Sequence, residues 1–179
     1  MTRALVPLAE GCEEIEAVVI IDTLRRAQWE VVTVGFHPGA LTASRGVRLI
    51  PDAEWEQVTP DAFDCIILPG GARGTQNLMT VASLLEAIRK FAVEGKLLAA
   101  ICAGPLVLQA AGVLRGHTAT CHPAVRNDFR STRSSDRVVV DGNLVTSQGP
   151  GTAIEFALAL IRLVDGDATA DMVAEGLVI

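Results

Sequence analysis

The segment Ala100-Ile101-Cys102-Ala103-Gly104-Pro105 places a cysteine where an apolar run meets the start of a helix. Ala100 lies two positions before it and Gly104 two positions after it. A strained strand-to-helix elbow requires this small-x-nucleophile-x-small spacing, because the turn crowds both flanks. The elbow aims its nucleophile at a helix N-terminus, where free N–H groups and the macrodipole favour an anion. A thiol held there is expected to lose pKa and to ionise near neutral pH. The alternative is a buried packing cysteine, a common fate of free thiols. Spacing favours chemistry for Cys102. Cys65, inside Asp64-Cys65-Ile66-Ile67-Leu68, reads as packing.

Other reactive types are sparse. Four cysteines and three histidines make no CxxC and no zinc-like spacing. Pro69-Gly70-Gly71-Ala72-Arg73-Gly74 follows a strand and precedes a helix, but it lacks the Gly-Lys-Ser/Thr ending of a phosphate loop. Glu13, Glu14 and Glu16 cluster where a helix begins, and Glu13 and Glu14 read as residues that suit its positive end. His122 precedes Pro123 and reads, on its own, as a turn or packing residue. His37 is a turn residue by its Pro38-Gly39 neighbours, and His117 has no supporting motif.

Apolar runs and amphipathic stretches alternate along the chain. Strands are expected at Ala4–Leu8, Glu30–Gly35, Val47–Ile50, Cys65–Leu68 and Lys96–Ile101. Val138–Val140 and Leu144–Ser147 flank Asp141-Gly142-Asn143 as a hairpin. Helices are expected at Glu13–Ala27, with Ile15, Val18, Val19, Ile21 and Leu24 facing inward, and at Leu84–Ala92, Pro105–Ala111, Thr152–Val164 and Ala168–Gly176. Continuous apolar strands between helices imply a doubly wound α/β fold, with a mostly parallel sheet sandwiched by helices. Residues 1–179 read as a single domain. Sites in such sheets lie at the strands' carboxyl ends. That rule selects the turns Ala9–Glu14, Pro69–Gly74 and Cys102–Pro105.

Composition narrows the partners. The chain of 179 residues is 50% hydrophobic with a formal net charge of −6, enough for a sizeable core and without the basic footprint of a nucleic-acid binder. Arg126, Arg130, Arg133 and Arg137 read as a solvated surface segment around the exposed Ser131–Asp136 loop. The longest apolar stretch, Ile154–Val164, is broken by Glu155 and Arg162 and is too short for a membrane span. Glutamates crowd the N-terminal region, which does not read as a signal peptide, so a cytoplasmic location is expected.

Taken together, these motifs resemble the ThiJ/PfpI superfamily, in the branch of the Parkinson-associated protein deglycase. The resemblance runs nearly end to end. It rests on Arg3-Ala4-Leu5-Val6, Gly11-Cys12-Glu13-Glu14-Ile15-Glu16, Leu68-Pro69-Gly70-Gly71, Gln76-Asn77-Leu78, Ala99–Pro105, His122-Pro123, Asp141-Gly142-Asn143 and Thr146–Thr152. It implies a flavodoxin-like fold, similar to class I glutamine amidotransferases. The chain ends at Ile179 without a basic extension, as in bacterial members.

The resemblance also implies roles. Cys102 would be the nucleophile, with Glu16 beside its sulfur as general acid/base and His122 nearby but not in a tight protease-like dyad. Backbone N–H groups of Gly70, Gly71 and Ala103 would form an oxyanion hole. Asp22 and Arg45 would act at a homodimer interface, Asp22 towards the histidine and Arg45 towards the partner's site. Glu16 is then expected to have a raised pKa and Cys102 a lowered one, coupled through one proton. The implied activity needs no cofactor and no metal. It is that of a glyoxalase or deglycase acting on methylglyoxal, glyoxal or their early adducts on amines and thiols. A redox sensor or chaperone whose Cys102 becomes a sulfinate is an alternative, and a cysteine peptidase or anhydride hydrolase a weaker one. Two departures stand out: Gln148 replaces an arginine common in animal members, and Cys121 replaces a frequent threonine. The roles of Cys12 and Cys121 stay open at this level.

Overall fold

The apolar runs become neighbours in one seven-stranded sheet in the computed structural model, which describes residues Met1–Ile179. In chain order the elements are β1 (Arg3–Pro7), α1 (Glu14–Arg26), β2 (Glu30–Gly35), β3 (Leu41–Thr42), β4 (Arg48–Leu49) and β5 (Ala53–Glu54). Then follow β6 (Cys65–Leu68), α2 (Ala72–Met79), α3 (Ala82–Glu94), β7 (Leu97–Ile101), α4 (Pro105–Ala111), β8 (Thr118–Ala119) and β9 (Thr132–Arg133). The chain closes with β10 (Val138–Asp141), β11 (Leu144–Ser147), α5 (Ala153–Asp165) and α6 (Asp167–Leu177). The main sheet runs β10-β11-β7-β6-β1-β2-β5, and every pairing in it is parallel except the β10–β11 hairpin. This is the doubly wound arrangement that the apolar runs imply.

Side chains alternate across the central strands, so each strand supplies both faces. Ala4, Val6, Ile67, Ala99 and Val145 pack under α1, α5 and α6 with Ile20, Phe156 and Ile161. Leu5, Ile66, Leu68, Leu98 and Ala100 face the other way, onto Leu78, Leu84, Ile88, Phe91 and Leu108 of α2, α3 and α4. Phe91 and Phe156 are fully buried, and truncating such a ring to alanine typically costs about 3–5 kcal/mol. No helix is long and apolar enough to cross a membrane.

Two expectations are corrected. The inward face of α1 is formed by Ala17, Ile20 and Leu24 together with Glu14, Glu16 and Thr23. Ile15 and Val18 point outward, 53% and 48% exposed. The helix is apolar on two sides, so its periodicity did not single out one. The expected strand Val47–Ile50 shrinks to Arg48–Leu49, which pairs with Leu41–Thr42 in a separate ribbon. Ile50 is left 78% exposed.

The order β7-β6-β1 sets three adjacent strands side by side. Their carboxyl ends open into the turns that carry Cys102, Gly70 and Gly71, and Gly11 to Glu13. The same strand order fixes the site.

Candidate active site

Cys102 directly follows β7 and has φ +66°, one of three non-glycine residues with positive φ. An L-residue in this region is strained by roughly 1–3 kcal/mol and persists only where its surroundings hold it. The holds are backbone bonds. Its N–H donates to Ser147 O at 2.9 Å, and its carbonyl accepts the His122 N–H at 2.8 Å. The flanks explain the small residues. A Cβ on Gly104 would lie 2.6 Å from Leu68 O and 2.8 Å from Ile101 O. Ala100 is fully buried against the second helical layer.

Glu16 reaches this cysteine from the first turn of α1. Glu13 caps that helix, its Oε2 accepting the Glu16 N–H at 2.8 Å. The Glu16 side chain has no exposed surface. Its Oε2 accepts the Gly70 N–H at 2.7 Å, and its Oε1 is buried without an N–H or O–H partner. The carboxyl's other hydrogen-bonding neighbour is the Cys102 thiol. Burial pushes the Glu16 pKa up to about 7, against the opposing pull of Gly70 and the thiol.

The thiol does not follow the expectation of a lowered pKa. Burial pushes Cys102 up to about 12, and the charge of Glu16 and its hydrogen bond add to the rise. The Gly71 and Ala103 N–H groups pull in the other direction and are outweighed. Two facts defeat the elbow argument. Cys102 is only 9% exposed, and the seven-residue α4 starts three positions later, at Pro105. The carboxyl and the thiol therefore titrate as one unit: between about 7 and about 12 they hold a single proton. The thiol is the weaker acid of the two, so that proton sits on the sulfur, and a thiolate forms when it passes to Glu16.

Gly70 and Gly71 do different things. A Cβ on Gly70 would sit 2.6 Å from Cys102 Cβ and 2.9 Å from Glu16 Oε2. Its N–H is committed to Glu16, so it is not a donor to the sulfur as expected. Gly71 has φ +90°, and a Cβ there would come 2.4 Å from Gly11 O. Its N–H, with that of Ala103, faces the Cys102 sulfur. The turns are stitched by backbone: Glu13 N–H donates to Gly70 O at 3.0 Å and Gly74 N–H to Gly11 O at 3.1 Å.

His122 lies beside the nucleophile but is engaged elsewhere. Its Nδ1 accepts the Ala124 N–H at 3.1 Å, and its ring edge fits against Gly149, where a Cβ would come 3.0 Å from Cδ2. No side-chain hydrogen bond joins it to Cys102. Arg45 lines a cleft of about 500 Å³ together with Cys102, Ala103, Gly71 and His122 of its own chain. Asp22 stays away from that cleft, exposed on α1 and paired with Arg26 at 2.7 Å.

Several residues were assigned too little or too much by sequence. Glu14 is buried, and its carboxylate accepts Ser44 Oγ at 2.8 Å and the Arg45 N–H at 2.7 Å, tying the Thr42–Arg45 segment over the cleft. Burial raises its pKa, but these donors and backbone N–H groups outweigh it and hold the carboxyl below the usual range. Arg73, overlooked in the glycine-rich turn, lines the cleft as well. Gln148 spends its amide on the Ser135 and Asp136 carbonyls. Cys12, Cys65 and Cys121 are buried, and burial raises the pKa of each, that of Cys12 to about 12.

Comparison with known proteins places this geometry. Residues 2–163 match the model of the DJ-1/PfpI family. Protein dj-1beta of Drosophila melanogaster is 42% identical over 181 residues, covering 98% of this chain and 96% of that protein. The glutathione-independent glyoxalase DJR-1.2 of Caenorhabditis elegans is 36% identical over 160 residues, 88% of this chain and 85% of that one. The solved structure of oxidized DJ-1 from Toxoplasma gondii superimposes with a TM-score of 0.95 at 41% identity, covering 99% of this chain and 98% of its own.

Proposed function

The chain belongs to the DJ-1/PfpI family, and from that premise we propose that it is a cofactor-free glyoxalase and deglycase of reactive carbonyls. The observation that carries this reading is the fully buried Glu16 carboxyl, held by the Gly70 N–H at 2.7 Å and set against the Cys102 sulfur. The resemblance to a relative named as a glyoxalase supports it. When the shared proton sits on Glu16, the sulfur is a thiolate. It adds to the aldehyde carbon of methylglyoxal, forming an S–C bond and a hemithioacetal oxyanion. The Gly71 and Ala103 N–H groups are placed to stabilise that oxygen. Glu16 protonates it, then carries the C1 proton to C2. Carbon 1 is oxidised as carbon 2 is reduced, so no external oxidant is needed. Water then cleaves the S–C bond and releases lactate. An early adduct on an amine or thiol would enter the same path and free the amine or thiol.

His122 holds the nucleophile's carbonyl and is not the proton carrier. Its side chain is occupied by Ala124, which also disfavours a cysteine peptidase. The outward row Ile15 and Val18, on the helix that carries Asp22, supports a homodimer. The direct test is turnover of methylglyoxal, glyoxal and glycated amino acids without glutathione. Cys102→Ser and Glu16→Ala are expected to abolish it, and activity surviving in Cys102→Ser refutes the mechanism.

A second reading has its own support. The unpartnered Glu16 Oε1 and the Gly71 and Ala103 N–H groups surround the sulfur. They suit the oxygens of a sulfinate, formed as the thiolate reduces two hydrogen peroxide molecules to two waters. A sensor of this kind oxidises once, whereas the enzyme recycles.

A further inference from the structure

Two arginines in the Cys102 cleft form no ion pair. Arg45 and Arg73 both line it, and neither guanidinium is within salt-bridge distance of a carboxylate. The Arg45 guanidinium donates only to Ser44 O, at 3.4 Å. The Arg73 guanidinium makes no hydrogen bond, and the residue is exposed. Its location is not explained by the helix it starts. It stands in the first turn of α2, where a cation opposes the dipole and no acid offsets it. It is nevertheless held in place. A Cβ on Gly11 would lie 2.7 Å from Arg73 Cβ and 3.1 Å from its Cγ and Cδ, so the bare Gly11 backbone is the bed on which the stem rests.

The acids of the same cleft are already engaged. Glu10 Oε2 accepts the Thr42 N–H at 2.9 Å, and Glu13 Oε2 accepts the Glu16 N–H at 2.8 Å. We infer that Arg73, with Arg45, is a specificity determinant that selects electrophiles bearing a carboxylate beyond the reacting aldehyde. A carboxylate fits better than a phosphate. Either matches the planar fork of a guanidinium, but Glu10 and Glu13 repel a dianion more strongly than a monoanion. The inference rests on the proposed carbonyl chemistry for its substrate class: α-oxoaldehydes with an acidic tail, such as 4,5-dioxopentanoate. Cys102 sulfur would bond to the aldehyde carbon, Glu16 would carry that carbon's proton to the adjacent carbonyl carbon, and water would release 2-hydroxyglutarate. The oxidation of one carbon balances the reduction of the other.

The test does not depend on turnover. Iodoacetate and iodoacetamide both alkylate Cys102 by displacing iodide, and they differ in charge. The ratio of their second-order rate constants reads the cleft's preference for a carboxylate. Arg73→Gln is expected to lower the iodoacetate-to-iodoacetamide ratio about fivefold, Arg73→Lys to retain most of it, and added salt to lower it in the wild type. A ratio unchanged by Arg73→Gln and by salt overturns the inference. In a second arm, kcat/KM for 4,5-dioxopentanoate relative to its methyl ester should fall in Arg73→Gln through KM. Absence of turnover with every carbonyl in the wild type would refute the glyoxalase reading alone, and the alkylation ratio would still decide the role of Arg73.

Discussion

The Gly70 amide and the Glu16 carboxylate meet at 2.7 Å, directly beneath the nucleophile, and Gly70 can approach that closely only because it has no side chain. The proton-carrying group is thus fixed by main chain from a different strand.

Gly70→Ala should break that relationship. The added methyl would fall 2.6 Å from Cys102 Cβ and 2.9 Å from Ala103 N, and neither is the free end of a flexible side chain. We expect a destabilisation of about 1–3 kcal/mol, as for overpacked sites, with loss of rapid Cys102 alkylation. Chemical denaturation and timed iodoacetamide labelling check both. An alanine variant as stable and as reactive as the wild type would show that the site relaxes freely.

Glu16 should imprint its own titration on the thiol. Below about 7 the unit carries two protons and alkylation of Cys102 is slow. Above it, Glu16 has lost its proton and can take that of the thiol as the sulfur attacks, so the rate rises to a plateau. In Glu16→Gln that step near 7 disappears, and the thiol, freed of a negative neighbour, titrates below the wild-type value of about 12. The rate profile against pH reads this directly. A step at the same pH in Glu16→Gln would disprove the shared proton.

Stability should follow the same carboxyl. Its folded pKa, about 7, is raised above the ordinary 4.5, so the fold favours the protonated form. That contribution is complete below about 4.5 and is lost as pH rises through about 7, an effect on the order of 3 kcal/mol. Unfolding free energy compared at pH 5 and pH 8 should therefore fall in the wild type by more than in Glu16→Gln.

His122→Ala should be mild. The ring's hydrogen bond caps the short turn at Pro123, and losing such a cap typically costs about 1 kcal/mol. Because the backbone N–H that holds Cys102 survives the substitution, kcat is expected to drop by less than about tenfold. A loss of about a hundredfold or more would be that of a general base and would reverse the assignment.

Sequence made the layered sheet and the nucleophile readable, for distinct reasons. Strands such as Cys65–Leu68 and Leu97–Ile101 are apolar throughout, which only a doubly covered sheet accommodates. The Ala100 and Gly104 flanks carry a steric requirement visible at fixed spacing. The orientation of α1 was not readable, because Ile15, Val18, Ala17, Ile20 and Leu24 offer two apolar faces. Burial of Glu14 was hidden because its donors, Ser44 and the Arg45 N–H, come from a remote turn, whereas the place of Glu16 beside the sulfur was implied by the resemblance. The thiol's pKa failed in sign because burial outweighs the lowering expected from a helix terminus and a protonated Glu16.

The nucleophile and its proton partner are gripped by backbone at Gly70, Gly71, Ser147 and His122, while the cleft's mouth is built of long side chains without ion-pair partners, such as Arg45 and Arg73. Evolution can therefore rewrite the mouth residue by residue without dismantling the reaction centre. Descendants of such a scaffold can change the molecules they admit while inheriting the same thiol chemistry, and the glycines are the positions least free to drift.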